Sequence, residues 1–192
     1  LVAEHDVFLE QQGTLEWCHY RGAGSYKNLI WFDVFNSLLP AASAMTEPEW
    51  QAHFEEALSG QYSDETIKRH VYQEIAFVLD AYLEGNFKRL DLFHRASDGR
   101  LYCRRYTRFV PTVLAAMVYD FCAAQGGSVT QVGELATAPG SPAVVFGLDP
   151  GTFRAQIETL HDRGWLRYET THDLDQIRLK PGLSAMVFLV AY

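Results

Sequence analysis

Arginines interleaved with aromatic rings are the side chains here whose chemistry can be read first. They lie in Phe87 to Arg108, FKRLDLFHRASDGRLYCRRYTR. Two alternating segments flank Ser97-Asp98-Gly99-Arg100, and Asp-Gly is a strong signal for a tight two-residue turn. The sequence therefore predicts a β-hairpin with Asp98-Gly99 at its tip. On that register Arg95 lies opposite Tyr102, and Phe93 opposite Arg104. Successive side chains alternate faces, so one face carries Phe93, Arg95, Tyr102, Arg104 and Tyr106. The other carries Leu90, Leu92, Leu101 and Cys103, with His94 as a core histidine. Guanidinium forks match phosphate oxygens, and rings pack on sugars or bases. The plain alternative is a solvated hairpin, which is what most charge runs are.

Charge is distributed to suit that reading. The chain has 192 residues and a formal net charge of −8. Between Lys88 and Arg108 it carries seven Lys or Arg against two acids, Asp91 and Asp98. Residues 63–108 as a whole hold nine basic and seven acidic side chains, whereas 1–62 hold two and nine. A polyanion would meet a local patch on an otherwise repelling molecule. The residues expected to contact DNA are Lys68, Arg69, Lys88, Arg89, Arg95, Arg100, Tyr102, Arg104, Arg105 and Arg108.

Other chemistry is sparse. Cys18, Cys103 and Cys122 have neither metal spacing nor a paired pattern, which reads as a reducing, cytoplasmic setting. Glu169, His172, Asp173 and Asp175 cluster near a second turn, where turn chemistry accounts for them more simply than a metal does. His70 opens a helix, as a phosphate contact or as neutral surface. No paired catalytic carboxylates, His-x-His cluster or phosphate-binding glycine loop is present, so no catalytic residue is assigned. No cofactor is identified; a divalent metal enters only if a hydrolytic step resides in this stretch.

The elements that must position these residues follow from periodicity and punctuation. Glu4 to Arg21 reads as a helix, and Gly22-Ala23-Gly24 as a turn. Ser25 caps a helix that ends at Pro40. Thr46-Glu47-Pro48-Glu49 is a capping box for a helix through Trp50, Phe54 and Leu58. Ser63 caps the next helix, whose inward stripe is Ile67, Val71, Ile75, Val78, Leu79 and Tyr82, with Lys68 and Arg69 off it. After the basic hairpin come a helix over 109–125, a short strand and helix over 129–136, and a helix opened by Asp149-Pro150 and stopped by Gly164. A second hairpin turns at Thr171-His172-Asp173, and the apolar run Leu183 to Tyr192 closes the chain as a buried element. That run is far short of the roughly 20 residues that span a bilayer, so no membrane contact is expected.

The fold class is thus mainly α with two β-hairpins, an α+β chain of tandem winged-helix-like units. The expected divisions are 1–24, an N-terminal helical extension; 25–108, a first unit with the basic hairpin; and 109–192, a second unit. A single α-rich domain with two unrelated hairpins is the alternative. The chain starts at Leu1 and is read as a piece of a longer protein.

Several stretches carry a resemblance. Gly140-Ser141-Pro142-Ala143-Val144-Val145-Phe146-Gly147-Leu148-Asp149 resembles a signature of the SspB-type family of bacterial DNA phosphorothioation systems. Thr66-Ile67-Lys68-Arg69-His70-Val71, Trp31 to Asn36 and Leu15-Glu16-Trp17-Cys18-His19 look like further segments of that family. His70 stands where the family has Asp, and Ala143 where it has Gly, so no acidic role is carried to position 70. The resemblance covers the family's C-terminal two-thirds. It implies DNA modification and phage defence, beside enzymes similar to PAPS reductase, in a family credited with DNA nicking. The expected partners are DNA, other proteins of that system and a second copy of the chain. Three functions remain: the DNA-binding part of the nickase, an enzyme with an unseen hydrolytic site, and a scaffold that recruits sulfur-transfer enzymes. A winged-helix transcriptional regulator is a further alternative.

Overall fold

The computed structural model describes residues 6, 9–27, 30–41, 44–171 and 174–192. The stretches at 1–5, 7–8, 28–29, 42–43 and 172–173 therefore lie outside the described residues. Helix α1 is Gln12–Ser25. Helix α2 covers 30–41 and contains a π turn, Val34–Leu38. Strand β1, Ala44–Met45, leads into α3, Glu47–Leu58. Helix α4 covers 64–83 and holds a second π turn, Ile67–Val71. A 3-10 turn, Asn86–Leu90, precedes β2, Phe93–Arg95, and β3, Leu101–Cys103. Then come α5, Pro111–Ala124; β4, Val129–Gln131; α6, Val132–Thr137; and the short α7, Pro142–Val145. Helix α8, Pro150–Asp162, is followed by β5, Leu166–Thr171, β6, Leu174–Leu179, and α9, Ala185–Ala191.

The chain is an α+β mixture with two small antiparallel sheets, each of three strands. Their orders are β1-β3-β2 and β4-β6-β5. Each hairpin thus gains a third strand that the sequence does not announce for the first sheet, where β1 is only two residues long. Three helix starts are capped as read. The Glu49 carboxylate accepts from the Thr46 N–H (2.6 Å), Ser63 Oγ accepts from the Thr66 N–H, and Asp149 Oδ1 accepts from the Thr152 N–H (2.9 Å). Ile67, Ile75, Val78, Leu79 and Tyr82 are buried along α4.

One buried cluster extends from Leu15 to Phe188 and takes in residues on either side of position 109. Its aromatic centre is dense. Phe93 stacks on Phe35 at 5.5 Å and meets Trp50 and Tyr82 edge-on. Burial of this apolar surface is the main force holding the helices to the first sheet.

Three expectations are corrected. Gly22-Ala23-Gly24 is not a turn but the end of α1. Gly24 is there because its backbone meets that of Gly140: a Cβ on Gly24 would stand 2.9 Å from the Gly140 carbonyl oxygen. The helix therefore continues through Gly24, which packing selects there against its low helix propensity. Ser25, read as a cap, is the last residue of α1. The closing run is only half buried: Phe188 faces the core, while Met186, Val187 and Val190 are exposed.

Candidate nucleic-acid interface

The hairpin forms, with a register one residue away from the expected one. Arg95 pairs with Leu101, His94 with Tyr102, and Phe93 with Cys103. The cause is the turn. Gly99 N–H donates to the Ala96 carbonyl, Ala96 N–H to that of Arg100, and Gly99 has φ +84°. This is the three-residue connection, Ser97-Asp98-Gly99, closed by a left-handed glycine. An odd loop shifts the pairing by one and moves side chains between faces. His94, expected in the core, is exposed, and Tyr106, expected on the open face, is buried. Tyr102 remains exposed.

Six of the seven hairpin cations meet an oxygen, and Arg108 meets a ring. Arg104 Nη1 donates to both carboxylate oxygens of Asp91 at 2.8 Å. Arg105 lies 2.7 Å from Asp149 and 3.3 Å from Thr152 Oγ1, at the start of α8. Arg95 approaches Glu47 (3.9 Å), Arg100 approaches Asp98 (3.8 Å), and Lys88 pairs with Glu84 (3.0 Å). Arg89 donates to the Leu9 and Glu10 carbonyls, and the Arg108 guanidinium lies 6.0 Å from the centre of the Tyr106 ring. These pairs are exposed, where water weakens an ion pair to a small fraction of its gas-phase strength. They still lower the positive potential that the sequence count suggests.

Lys68 and Arg69 differ. They occupy the π turn of α4, are exposed, and have no carboxylate within salt-bridge distance among the described residues. Arg95 lines a hollow with Ala76, Leu79, Asp80 and Leu83, two or more turns further along α4. Arg95 and the Lys68–Arg69 pair therefore lie at separate stretches of that helix.

The second sheet has its own charge ladder. Glu169 ties Arg167 (3.1 Å), Arg178 (3.5 Å) and Gln176 (2.7 Å), and these partners hold its carboxyl below the usual range. Asp175 accepts from Arg154 (2.6 Å) and Tyr168 (2.7 Å), which likewise holds it down. Among the described residues, no three His, Cys, Asp or Glu side chains group as a metal-binding set.

The Gly140-to-Asp149 signature is structural. Gly140 and Gly147 have positive φ, and the buried Ser141 accepts from the Val144 N–H. Phe146 sits among His19, Tyr106 and Phe109. Asp149 caps α8 and receives Arg105. The motif thus sets where α8 starts and where the first sheet touches it.

Sequence reasoning missed two buried polar residues on one face of α1, Glu16 and His19. Both have no solvent exposure. Glu16 accepts from the Tyr106 hydroxyl (2.5 Å) and the Val110 N–H (3.0 Å), capping α5 from another helix. Burial pushes its carboxyl up to about 7, opposed by those two donors. His19 Nε2 lies 2.8 Å from the Val145 carbonyl, which can only accept, so Nε2 carries the proton. Nδ1 then accepts from Tyr82, whose hydroxyl also accepts from Trp31 Nε1 (2.9 Å). Burial holds the imidazole neutral, down to about 4. The i, i+3 spacing of Glu16 and His19, inward on one helix, was the available signal.

The fold has known counterparts. It superimposes on a crystal structure of magnesium ion-bound SspB with a TM-score of 0.73 and 15% identity, over 91% of this chain and 58% of that one. A second SspB crystal structure gives a TM-score of 0.72 and 15% identity, over 96% and 59%. The chain thus spans less than two thirds of either protein, and at this identity what is shared is the fold. No curated protein matches. A family model covers residues 1–192, and by it the chain belongs to the family described as protein of unknown function (DUF4007).

Proposed function

We propose that this chain is a DNA-docking part of a protein of bacterial DNA phosphorothioation systems. The observation that carries the reading is the order of residues 111–179: helix, strand, two short helices, a longer helix, hairpin, with β4 on the free edge of β6. That order resembles the winged-helix form of helix-turn-helix with one short helix, α7, added, and on this reading α8 takes the place of the helix presented to a groove. The likeness to SspB supports the same reading. The cations expected to meet phosphates are Lys68 and Arg69 first, then the paired arginines of the first sheet, which must exchange a carboxylate for a phosphate oxygen. Such an exchange keeps the charge-assisted bond and orients the guanidinium beforehand. No described helix is long and apolar enough to cross a membrane.

The test is fluorescence anisotropy of the chain on a labelled duplex across a salt series. Affinity should fall log-linearly with salt, with a slope reporting the number of phosphates neutralised. Absence of binding at low salt would refute the reading. Metal-dependent relaxation of supercoiled plasmid by this chain would add the nicking activity to it. A second reading, contact with other proteins of such a system, is favoured by Met186, Val187 and Val190, exposed together on α9. Val190→Asp should then abolish co-elution with a sulfur-transfer partner and leave duplex binding unchanged.

A further inference from the structure

A cleft of about 550 Å³ opens where α2, α3 and the first half of α4 meet. It is separate from the first sheet and from the second. Both π turns contribute to it: Ser37 from α2, and Ile67, His70 and Val71 from α4. A π turn gives up regular helical bonding, and such turns occur frequently at functional sites. Here two of them line the same hollow.

The titratable groups that line it are Lys27, Asp33, His53, Tyr62, His70 and Glu74. Burial raises the carboxyl of Asp33, and the charge of His53 close by partly offsets that. Lys27 and His70 are exposed on the wall, and Tyr62 is 57% exposed with its ring available. Lys68 and Arg69 share the π turn that supplies His70, so a phosphate chain bound by them would pass this opening. The wall thus combines a flat aromatic face, donors for an anion, and carboxyl and imidazole groups able to read a polar ring edge.

We infer that this cleft receives an unpaired nucleotide, its phosphate toward Lys27 and His70 and its base on Tyr62. The shared chemistry is that of a nucleoside 5′-phosphate, whether free or within a strand. Within a strand, the inference rests on the DNA-docking reading above.

Two probes separate the sources and the readings. One is a duplex carrying a single unpaired adenosine, compared with its fully paired counterpart by anisotropy. The other is free dAMP, followed by chemical-shift changes. The single unpaired base should tighten binding about tenfold, the value of one stacked base. Tyr62→Ala and His70→Ala, both at exposed positions, should remove that preference while affinity for the paired duplex persists. Perturbation of the cleft residues by dAMP, when neither duplex binds at low salt, would support the cleft and refute the docking reading. Equal binding of both duplexes, with no dAMP effect, would overturn the cleft alone. No binding of any probe would overturn both.

Discussion

The arginines of the first sheet and the polar groups inside α1 solve opposite problems. Arg104 and Asp91 sit in water, where charge is already solvated and their contact adds little. Glu16 and His19 are fully enclosed, and no ion pair with either is seen among the described residues. They are kept by directed hydrogen bonds from Tyr106, Val110 and Tyr82 and to the Val145 carbonyl. Charges at the surface are exchangeable, which is what the proposed DNA-docking role requires. Polar groups inside are not, because an unmatched one keeps its full desolvation cost.

The contrast breaks first at His19. His19→Ala should cost about 3 kcal/mol in urea unfolding, from a cavity and two stranded partners, Tyr82 Oη and the Val145 carbonyl. A loss below about 1 kcal/mol, the range of a typical surface change, would contradict the enclosed network.

The next test is pH. Glu16 rises from 4.5 to about 7 on folding, so its contribution is present below pH 4.5 and lost as pH rises through 7. His19 falls from 6.5 to about 4, so its contribution is present above pH 6.5 and lost as pH falls through 4. The two slopes oppose one another between those limits. Glu16→Gln removes one of them. From pH 5 to pH 8 the variant should gain about 2 kcal/mol relative to the unsubstituted protein, read from paired urea midpoints. Parallel pH profiles would exclude an ionisable buried Glu16.

At the surface the effects are on binding. Lys68→Glu with Arg69→Glu should weaken duplex affinity about tenfold at low salt and lower the salt slope by about two. An unchanged slope would place the phosphates elsewhere. Arg104→Ala should shift stability by less than about 1 kcal/mol, since it removes one exposed pair. A larger loss would mean that the pair supports the sheet.

What could be read from the residues was local. Thr46 to Glu49, Ser63, Asp149-Pro150 and Gly164 announced helix ends because caps act within four residues. The stripe of α4 was legible for the same reason. The hairpin was legible as a hairpin, but Asp-Gly suits both a two-residue and a three-residue connection, and a single residue decides which faces are dry. Glu16 and His19 could not be placed because their partners lie 63 to 126 residues away. The π turns have no sequence signature, so the cleft they line was not foreseen.

The crossing of Gly24 and Gly140 has a mechanical meaning. Main chain rests on main chain there, with no rotatable side chain between to absorb a shift, and a Cβ on Gly140 would stand 2.6 Å from the Gly24 carbonyl oxygen. Asn36 clamps the same point, donating to the Ala23 carbonyl and accepting from the Gly140 N–H. A load arriving at α8 would therefore pass through the segment before it into α1 as through a rivet, and the two halves of the chain would turn together.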